Sequence, residues 1–498
     1  MSSTVKKRIL LVSWHFPPYK SSSAFNLFKR IKDTGFHYDV LHIKQKEAPD
    51  NEKMFRFSSS TFHRYEIEVP REDGRDRESR ELYCEKVCEF FNELRRTTHY
   101  SVMLSHSHEL VSHIAALAIK ARYPELRWVA SFGDPIAGNP FNESYKFPLL
   151  DEDSKTESEV LVQADRIIVT NRYQKDVMIQ TARSDVSDGK FFILPHCFDE
   201  RMYPSARKKS QGIDGAIFKF RHIGMLYKFK RTSEPFLLAA QRLIQRYPNL
   251  RGKFCIEFFG ATDRYIQNAA SYGLADSVRF QGNVSYLESL SLMSDSDCLL
   301  LRDADFSDQG VKLTPFYPGK LADYLGAKKP VIAVTMKNGC VPDMLHDLGG
   351  VAVTESDVDD LADLMAKAIE GRLTANLENT EKYSVFNVAT LARAALTYTE
   401  DKKKVLVAGH DLKFAKFIID EIRGRKDLLL LIDQWKGHDS HDETKSEALL
   451  YQADVIFCEW GLGNAVWYSK KKRLGQKLVV RMHLQEFTTR HPEKFVNS

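Results

Sequence analysis

The stretch at residues 314–334, TPFYPGKLADYLGAKKPVIAV, brings a proline, a glycine, a lysine and an aspartate together within six positions, 318–323. Pro318 and Gly319 are compatible with the start of a helix, because proline is tolerated in a first turn and glycine allows close backbone approach. The unpaired amides and positive dipole end of such a start attract anions, and Lys320 adds a full charge. Asp323 lies one turn further along the same face, where a carboxylate accepts from sugar or ribose hydroxyls. Taken alone, the pattern also fits an ordinary amphipathic helix.

Polar residues also follow predicted strands in the first half of the chain. Asp134 follows the strand WVASF, His106 follows SVML, and His15 lies in the loop after the first strand. Such positions can face a ligand, while a turn-forming Asp-Pro pair and a capping histidine are the structural alternatives. His108 and His113 have near-helical spacing, but no third ligand or HExxH pattern accompanies them, so the sequence predicts no metal site.

These residues need a scaffold that brings strand ends together. An apolar strand at 9–13, a loop, a helix at about 24–34 and the strand YDVLHI begin an alternation that continues to about residue 198. Such a βαβ series requires a parallel sheet covered by helices. A second series follows the Ser-, Gly- and basic-rich stretch 204–215, which indicates an interdomain linker. Two doubly wound α/β domains leave a cleft at the carboxyl ends of their strands, where ligands bind.

The alternation restarts near residue 403 and gives four strand signals before residue 498. This segment predicts the first half of another α/β domain of the N-terminal type, either truncated or reduced to an accessory domain. Residues after its strands are candidates for a second site. They are Glu459, Trp460, Gly461, Asn464 and His483. The sequence GLGN lacks the spacing of a dinucleotide fingerprint, so a nicotinamide cofactor is not predicted.

Composition limits the class of protein. The chain has 498 residues, 43% hydrophobic and 28% charged, which is typical of a soluble globular protein with about three domains. No window of about 18 uncharged apolar residues is present, so no membrane span is predicted. Seven dispersed cysteines favour a reducing cytoplasm over a disulfide framework. Between residues 201 and 231, nine Lys or Arg accompany one acid, which fits a solvated linker or a surface facing phosphates or anionic lipid.

The pattern PGKLADYLGAKKPVIAV resembles the P-[SG]-K-x-x-E-Y-x-x-x-x-K-P-V-I signature of family-4-like glycosyltransferases, which have the GT-B fold. Further passages resemble that family in the same order, among them SWHFPPYKSSSAFNLFKRI, ADRIIVTNRYQKDVM, ILPHCFDERMY and RHIGMLYKFKRTSEPFLLAA, and together they cover about residues 8–400. The resemblance implies a Rossmann-like acceptor-side domain at 1–203 and a Rossmann-like nucleotide-sugar-binding domain at 216–375. A C-terminal helix of the GT-B unit is expected at 376–400, and the partial second domain at 403–498.

The resemblance also implies roles for individual residues. The diphosphate of a nucleotide sugar is expected at the start of the helix and beside the basic pair that follows GMLY, and Asp323 is expected to hold ribose hydroxyls. Asp134 matches the position of a polar catalytic residue, and His106 and His15 are further catalytic candidates. The donor-binding candidates are Ser21, Ser22, Gly224, Lys230, Arg231, Gly319, Lys320, Leu321 and Asp323. The resemblance implies no metal and no cofactor beyond the donor, and it assigns no protein nucleophile.

Three features depart from the family pattern. Pro315 stands where the family has the first of two acids, so its side chain cannot hold a donor sugar hydroxyl. Serines at positions 21–23 replace the glycine pair that approaches the diphosphate, although serine hydroxyls and amides can still contact an anion. Met225 replaces the usual arginine, which leaves Lys230 and Arg231 to supply that charge.

From the resemblance we expect a cytoplasmic glycosyltransferase that moves a sugar from a nucleoside-diphosphate donor to a glycan or lipid-linked acceptor. Retention of configuration, metal independence and a role in bacterial surface polysaccharides, such as a capsule or O-antigen, are further expectations. The expected partners are the nucleotide sugar, the acceptor and the inner membrane surface as a peripheral contact, without nucleic acid. A nucleotide-sugar epimerase and a non-catalytic nucleotide-sugar-binding scaffold for a polymerase are the alternatives.

Overall fold

The computed structural model describes most of the chain. The described residues are 7–19, 21–45, 49–72, 74, 76–107, 110–145, 149–204, 217–226, 230–260, 266–373, 379–397, 403–425, 427–472 and 476–496. The chain divides into two compact units, Met1–Leu396 and Thr397–Ser498. The first unit contains two parallel sheets, and the second unit contains one. The linker predicted at 204–215 falls, beyond its first residue, outside the described part.

The first domain of the first unit is built on a seven-stranded sheet in the order β3-β2-β1-β4-β5-β6-β7. Its strands are β1 (Arg8–Ser13), β2 (His37–Ile43), β3 (Thr61–Ile67), β4 (Val102–Ser107), β5 (Arg127–Phe132), β6 (Arg166–Val169) and β7 (Phe191–Ile193). Its helices are α1 (Ser22–Ile31), α2 (Pro49–Glu52), α3 (Arg77–Leu94), α4 (Val111–Arg122), α5 (Pro140–Tyr145), α6 (Leu150–Gln163) and α7 (Arg172–Thr181). The central strand β1 is a continuous run of buried apolar residues, as expected of a parallel strand covered on both faces.

The second domain has a six-stranded sheet in the order β10-β9-β8-β11-β12-β13. Its strands are β8 (Phe218–Ile223), β9 (Phe254–Phe259), β10 (Val278–Gln281), β11 (Cys298–Arg302), β12 (Val331–Val334) and β13 (Val351–Val353). Its helices are α8 (Glu234–Arg246), α9 (Ile266–Ser271), α10 (Tyr286–Ser294), α11 (Gly319–Ala327), α12 (Cys340–Asp347), α13 (Val358–Ile369) and α14 (Val385–Thr397). The last helix returns to the first domain, where Arg393 donates to the carbonyl of Thr34 at 3.0 Å.

The second unit has a four-stranded sheet in the order β15-β14-β16-β17. Its strands are β14 (Lys403–Gly409), β15 (Leu428–Gln434), β16 (Val455–Glu459) and β17 (Lys477–Arg481). Its helices are α15 (Lys416–Gly424), α16 (Glu443–Gln452) and α17 (Gly463–Lys471). All its strands are parallel, so the unit is a small α/β domain.

The predicted fold class is confirmed, because each of the three sheets is parallel and carries helical crossovers. The sequence pattern did not predict β3, the edge strand of the first sheet. Its sequence TFHRYEI is mostly exposed or half-buried and therefore lacks the apolar run of a central strand. Within the described residues, no helix combines the length and apolarity needed to cross a bilayer.

Candidate functional site

The candidate site lies where the strand order of each large sheet reverses. In the first domain the chain departs in opposite directions from β1 and β4, and in the second domain from β8 and β11. Loops diverge at the carboxyl ends of such strand pairs and leave a crevice, which is the usual place for a ligand in an α/β fold. Ser21 and His106 lie at the first reversal, and Gly224 lies at the second.

In the first domain, His106 is joined to the start of α1. The His106 Nδ1 atom lies 3.1 Å from the carbonyl oxygen of Ser131, and Nε2 lies 3.0 Å from the hydroxyl of Ser23. Because a carbonyl only accepts, we assign the proton to Nδ1, which leaves Nε2 to accept from Ser23. Burial, followed by the charge of Arg30, holds the pKa of His106 well below its usual range. The imidazole is therefore neutral and fixed in one tautomer.

The two predicted serines lie at the N-terminus of α1. Ser21 caps the helix, and its hydroxyl accepts from the amide of Ala24 at 3.4 Å. Ser22 is the first helical residue, and the first turn contains no acidic side chain. The positive end of the helix dipole therefore faces this reversal without a carboxylate from its own first turn.

In the second domain, α11 begins at Gly319 with Pro318 at the capping position. Among the described residues, no side chain accepts a capping hydrogen bond there. A Cβ atom on Gly319 would lie 2.0 Å from the amide nitrogen of Asn26, so glycine is what allows α1 and α11 to approach each other. The amide of Leu321 donates to the carbonyl of Pro318 at 2.9 Å, so this predicted donor contact is engaged within the helix turn.

Lys320 points back over the end of β8. Its Nζ atom lies 3.3 Å from Nε2 of His222, and a Cβ atom on Gly224, where φ is 136°, would lie 2.7 Å from the same Nζ. Burial, followed by the charge of Arg231, lowers the pKa of Lys320 to about 7, and Asp303 opposes the shift. The Lys320 side chain is half-buried, and a lowered pKa of such an ammonium indicates a site that an anion would stabilise.

Lys230 and Arg231, the basic pair after β8, form ion pairs with two different acids. Arg231 donates to the fully buried carboxylate of Asp303 at 3.1 Å, directly after β11. Lys230 instead pairs with the exposed Asp308 at 2.7 Å. Only Arg231 therefore lies with Lys320 at the strand reversal, while the predicted role of Lys230 would require it to leave Asp308.

Asp323 is engaged across the interface between the two domains of the first unit. Its Oδ1 atom accepts from Nζ of Lys29 at 2.6 Å and from the hydroxyl of Tyr286 at 2.8 Å. Lys29 is fully buried, and the side chain of Asp323 is 8% exposed. The oxygen predicted to accept from ribose is thus held by α1 of the first domain and α10 of the second.

The acceptor-side candidates lie on neighbouring loops. Asp134 is half-buried after β5, and its loop is fixed by the carboxylate of Glu157, which accepts from the amides of Ile136 and Ala137 at 2.7 and 3.0 Å. Burial raises the pKa of Glu157 to about 7. His15 is half-buried after β1, where its carbonyl accepts from the hydroxyl of Ser13 at 2.7 Å. His108 lies outside the described residues.

Pro315, at the position of the absent acid, contacts the first domain through its backbone. Its carbonyl accepts from the side-chain amide of Asn171 at 2.7 Å. The ring of Phe141 packs nearby against Phe306 and Phe316, with centroids 4.7 and 5.3 Å apart. The two domains therefore meet closely around the candidate site.

Sequence reasoning missed several residues that line this site. They are Asn26, Lys29, His222, Tyr286 and Asp303. Asp303 and His222 could have been identified from the sequence, because each lies at the carboxyl end of a predicted strand. Lys29 could not have been identified in this way, since a lysine within an amphipathic helix is ordinarily exposed.

Comparison with known proteins finds solved structures that are similar to this chain, without a match in sequence. No model of a known protein family matches the sequence, and no curated protein matches it. The sucrose-phosphate synthase of Thermosynechococcus elongatus is similar over 77% of this chain and 96% of its own, with 14% identity and a TM-score of 0.56. A structure described as "Trehalose-6-phosphate from E. coli bound with UDP-2-fluoro glucose" is similar over 79% and 100%, with 12% identity and a TM-score of 0.56.

WaaG, described as a glycosyltransferase involved in lipopolysaccharide biosynthesis, is also similar in structure. The likeness covers 79% of this chain and 100% of WaaG, with 14% identity and a TM-score of 0.51. Identities this low carry the fold and leave activity to be argued from the site. Two Rossmann-like domains with their strand reversals at a shared interface, together with these likenesses, show that the chain has the GT-B fold.

Proposed function

We propose that this chain is a glycosyltransferase that transfers a sugar from a nucleoside-diphosphate donor to a hydroxyl of a glycan or lipid-linked acceptor. The observation that carries the proposal is the convergence of Lys320, Arg231 and the start of α11 at the strand reversal of the second sheet. The likeness in fold to a protein bound with UDP-2-fluoro glucose supports the choice of donor class.

The proposed chemistry depends on the charge that develops on the departing diphosphate. Preorganised donors in a buried site stabilise such charge more strongly than water does. Lys320 and Arg231 supply two cations, and the α11 amides and helix dipole add partial positive charge. A bound phosphate would raise the lowered pKa of Lys320 and hold the ammonium in its charged form.

The first domain would position the acceptor. Ser23 and His106 form a fixed pair beside the α1 start, and the loops that carry His15 and Asp134 lie at the same edge of the sheet. In the retaining reaction that we propose, the acceptor hydroxyl approaches on the face of the leaving group, and a phosphate oxygen takes its proton. No protein nucleophile is required. Metal independence is part of the proposal, and retained turnover in EDTA is the expected result.

A role in bacterial surface polysaccharide synthesis at the cytoplasmic face of the membrane is proposed from the sequence resemblance. The similarity in structure between this chain and WaaG supports a reaction that builds a glycan over other reactions that proteins of this fold catalyse. Flotation of the intact chain with anionic vesicles tests the membrane part of the proposal. Failure to bind vesicles would remove peripheral membrane contact and leave the transferase proposal intact.

The test is a panel of UDP, GDP, CDP and ADP sugars, scored by thermal shift and then by nucleotide release with candidate acceptors. A bound donor stabilises the native state by mass action, so at least one donor should raise Tm. Lys320→Ala should lower kcat/KM at least about 100-fold, the usual cost of losing one oxyanion donor. Lys312→Ala, which removes an exposed lysine, is the matched control and should leave kcat/KM unchanged. Equal kinetics of the Lys320→Ala variant and the wild type would refute the proposed site.

A non-catalytic nucleotide-sugar-binding scaffold is the second candidate. Pro315 replaces an expected acid, and Asp323 is occupied by Lys29, so two expected sugar contacts are altered. This candidate predicts a donor-dependent rise in Tm without nucleotide release for any acceptor. Multiple-turnover nucleotide release would exclude it.

A further inference from the structure

The second unit has its own strand reversal, between β14 and β16. His410 and Asp411 follow β14, Trp460 follows β16, and His483 lies two residues after β17. The carboxyl ends of parallel strands meet at one edge, and a crevice at a strand reversal is the expected ligand position. The same rule located the candidate site in the first unit, and in the second unit it predicts a ligand at the carboxyl ends of β14 and β16.

Aromatic rings form a row along this edge. The centroids of His438 and His410 are 4.2 Å apart, those of His410 and Trp460 are 5.6 Å apart, and those of Trp460 and His483 are 4.0 Å apart and nearly stacked. Phe414 lies 5.5 Å from both Trp460 and His483. His438 is exposed, and Phe414 is 47% exposed, so solvent reaches the row. We call these five residues the ring row.

Trp460 is held in a backbone conformation that bulky residues avoid. Its φ is 77°, in the left-handed region, where strain concentrates at functional positions. The surrounding structure fixes it. The Trp460 amide donates to the carbonyl of Arg481 at 3.2 Å, and its indole nitrogen donates to the carbonyl of Asp411 at 3.0 Å. The hydrogen bond of the indole nitrogen therefore fixes the direction of the ring.

Two buried carboxylates hold the other end of the row. Glu459 is fully buried and accepts from Nε2 of His483 at 2.8 Å. Glu486 is 2% exposed and accepts from the amides of Gly461 and His483, at 2.9 and 2.8 Å. The ring row is thus preorganised by buried hydrogen bonds, as a binding surface requires.

Charges of both signs lie at this edge. Lys413 lies 4.9 Å from the ring of Phe414 and pairs with Asp411 at 2.8 Å, and Arg481 pairs with the buried Glu459 at 2.6 Å.

A Cβ atom on Gly463, the first residue of α17, would lie 2.0 Å from a carboxylate oxygen of Asp439, so an acid occupies the mouth of this helix. Burial, followed by the neighbouring His438, lowers the pKa of His410, which keeps that ring neutral near pH 7. A phosphate at the start of α17 would meet the Asp439 carboxylate, whereas a phosphate at the start of α11 would meet Lys320 and Arg231.

We propose that the ring row is a binding surface for a neutral carbohydrate chain. The apolar C–H face of a pyranose ring packs against an aromatic face, and its hydroxyls pair with the imidazole nitrogens, with Asp439 and with the Asp411–Lys413 ion pair. A neutral chain can bind without breaking these ion pairs, whereas a phosphate would require Lys413 or Arg481 to leave its acid. This proposal does not depend on donor binding in the first unit.

The experiment is titration of the intact chain with maltotetraose, cellotetraose and chitotetraose, followed by saturation-transfer NMR and tryptophan fluorescence, together with a neutral-glycan microarray. At least one glycan should bind saturably. Trp460→Ala should weaken that binding at least tenfold. Phe417→Ala removes an exposed aromatic outside the row and should leave binding within twofold. Because Trp460 is strained and packed against other rings, its loss also tests folding, so His438→Ala is the second variant. The His438 side chain is exposed, and this variant should keep the wild-type Tm.

Each outcome bears on the proposal. Weakened glycan binding in both row variants, with the Tm shift by a nucleotide-sugar donor unchanged, supports it. No binding to any neutral glycan, or wild-type binding by both variants, overturns it. Binding of UDP or inorganic phosphate at the row, without glycan binding, also overturns it and would assign an anion site. If no donor raises Tm, that outcome contradicts the proposed transferase alone. The glycan-binding results for the ring row can still be interpreted.

Discussion

Helices α11 and α17 both begin with glycine at the carboxyl edge of a parallel sheet, but opposite charges face their first turns. Lys320 and Arg231 lie at the α11 mouth, and Asp439 lies at the α17 mouth. The two acids near these mouths also differ, since the side chain of Asp323 is 8% exposed and that of Asp439 is 72% exposed. A helix start alone therefore does not decide the ligand, because side chains from neighbouring strand ends set the charge.

The largest expected effect comes from the buried partner of Asp323. Lys29→Met leaves a buried carboxylate without its cation, and breaking such a pair costs about 3–5 kcal/mol. The measurement is chemical denaturation of the intact chain, with hydrogen exchange of α1 and α11 amides to locate the loss. His491→Ala, which removes the partner 3.6 Å from exposed Asp439, should cost less than about 1 kcal/mol.

The double variant Lys29→Met with Asp323→Leu sharpens this test. An apolar pair of similar volume recovers much of the loss when the cost arises from an unpaired charge. A double variant as unstable as the single one would show that the contact matters through packing instead.

Alanine substitution at Gly319 and at Gly463 should destabilise the protein to different extents, because the new Cβ atom would contact different atoms at the two helix starts. At Gly463 the Cβ would lie 2.0 Å from Asp439 Oδ1 and 2.5 Å from the backbone carbonyl of His438, whereas at Gly319 the three nearest atoms all belong to the side chain of Asn26. Overpacking costs about 1–3 kcal/mol, and we expect Gly463→Ala at the upper end because backbone must move. Hydrogen exchange of α17 and α11 amides reports each loss. Asn26→Ala should rescue Gly319→Ala, and lack of rescue would contradict the Asn26 contact.

The pH dependence of donor binding gives a smaller effect. Because its pKa is lowered to about 7, free Lys320 is charged below pH 7 and neutral above it. Donor affinity should therefore fall as pH rises from 7 to 9, by at most about tenfold per pH unit. Calorimetric titration with UDP over that range measures the slope. Lys320→Arg keeps its charge and should flatten the curve, and an unchanged slope in that variant would assign the titration to another group.

The smallest expected effect tests the α17 mouth. Asp439→Asn removes the negative charge from that helix start, and a charge near a helix end is worth about 0.3–1 kcal/mol. Phosphate affinity at the ring row should rise no more than about fivefold, measured by 31P NMR at low salt. Loss of phosphate affinity in this variant would show that Asp439 does not oppose anions.

Much of the fold could be predicted from local sequence. Apolar runs located the buried strands, and the pair Pro318 and Gly319 located the start of α11, because both patterns depend on neighbouring residues. The edge strand β3 was missed because its side chains are partly exposed and mixed in character. The α1 boundary was placed two residues late, since the cap formed by Ser21 depends on one hydrogen bond.

Local sequence was enough to predict most of the strands and helices, their parallel arrangement and the positively charged helix start at Lys320. The contacts of these residues depend on the folded chain. Lys29 and Asp323 are 294 positions apart, and His222 and Lys320 are 98 apart, so no local pattern relates them. Periodicity is set by neighbouring residues, whereas burial, pKa and ion pairing are set by the residues that packing brings together from distant parts of the chain.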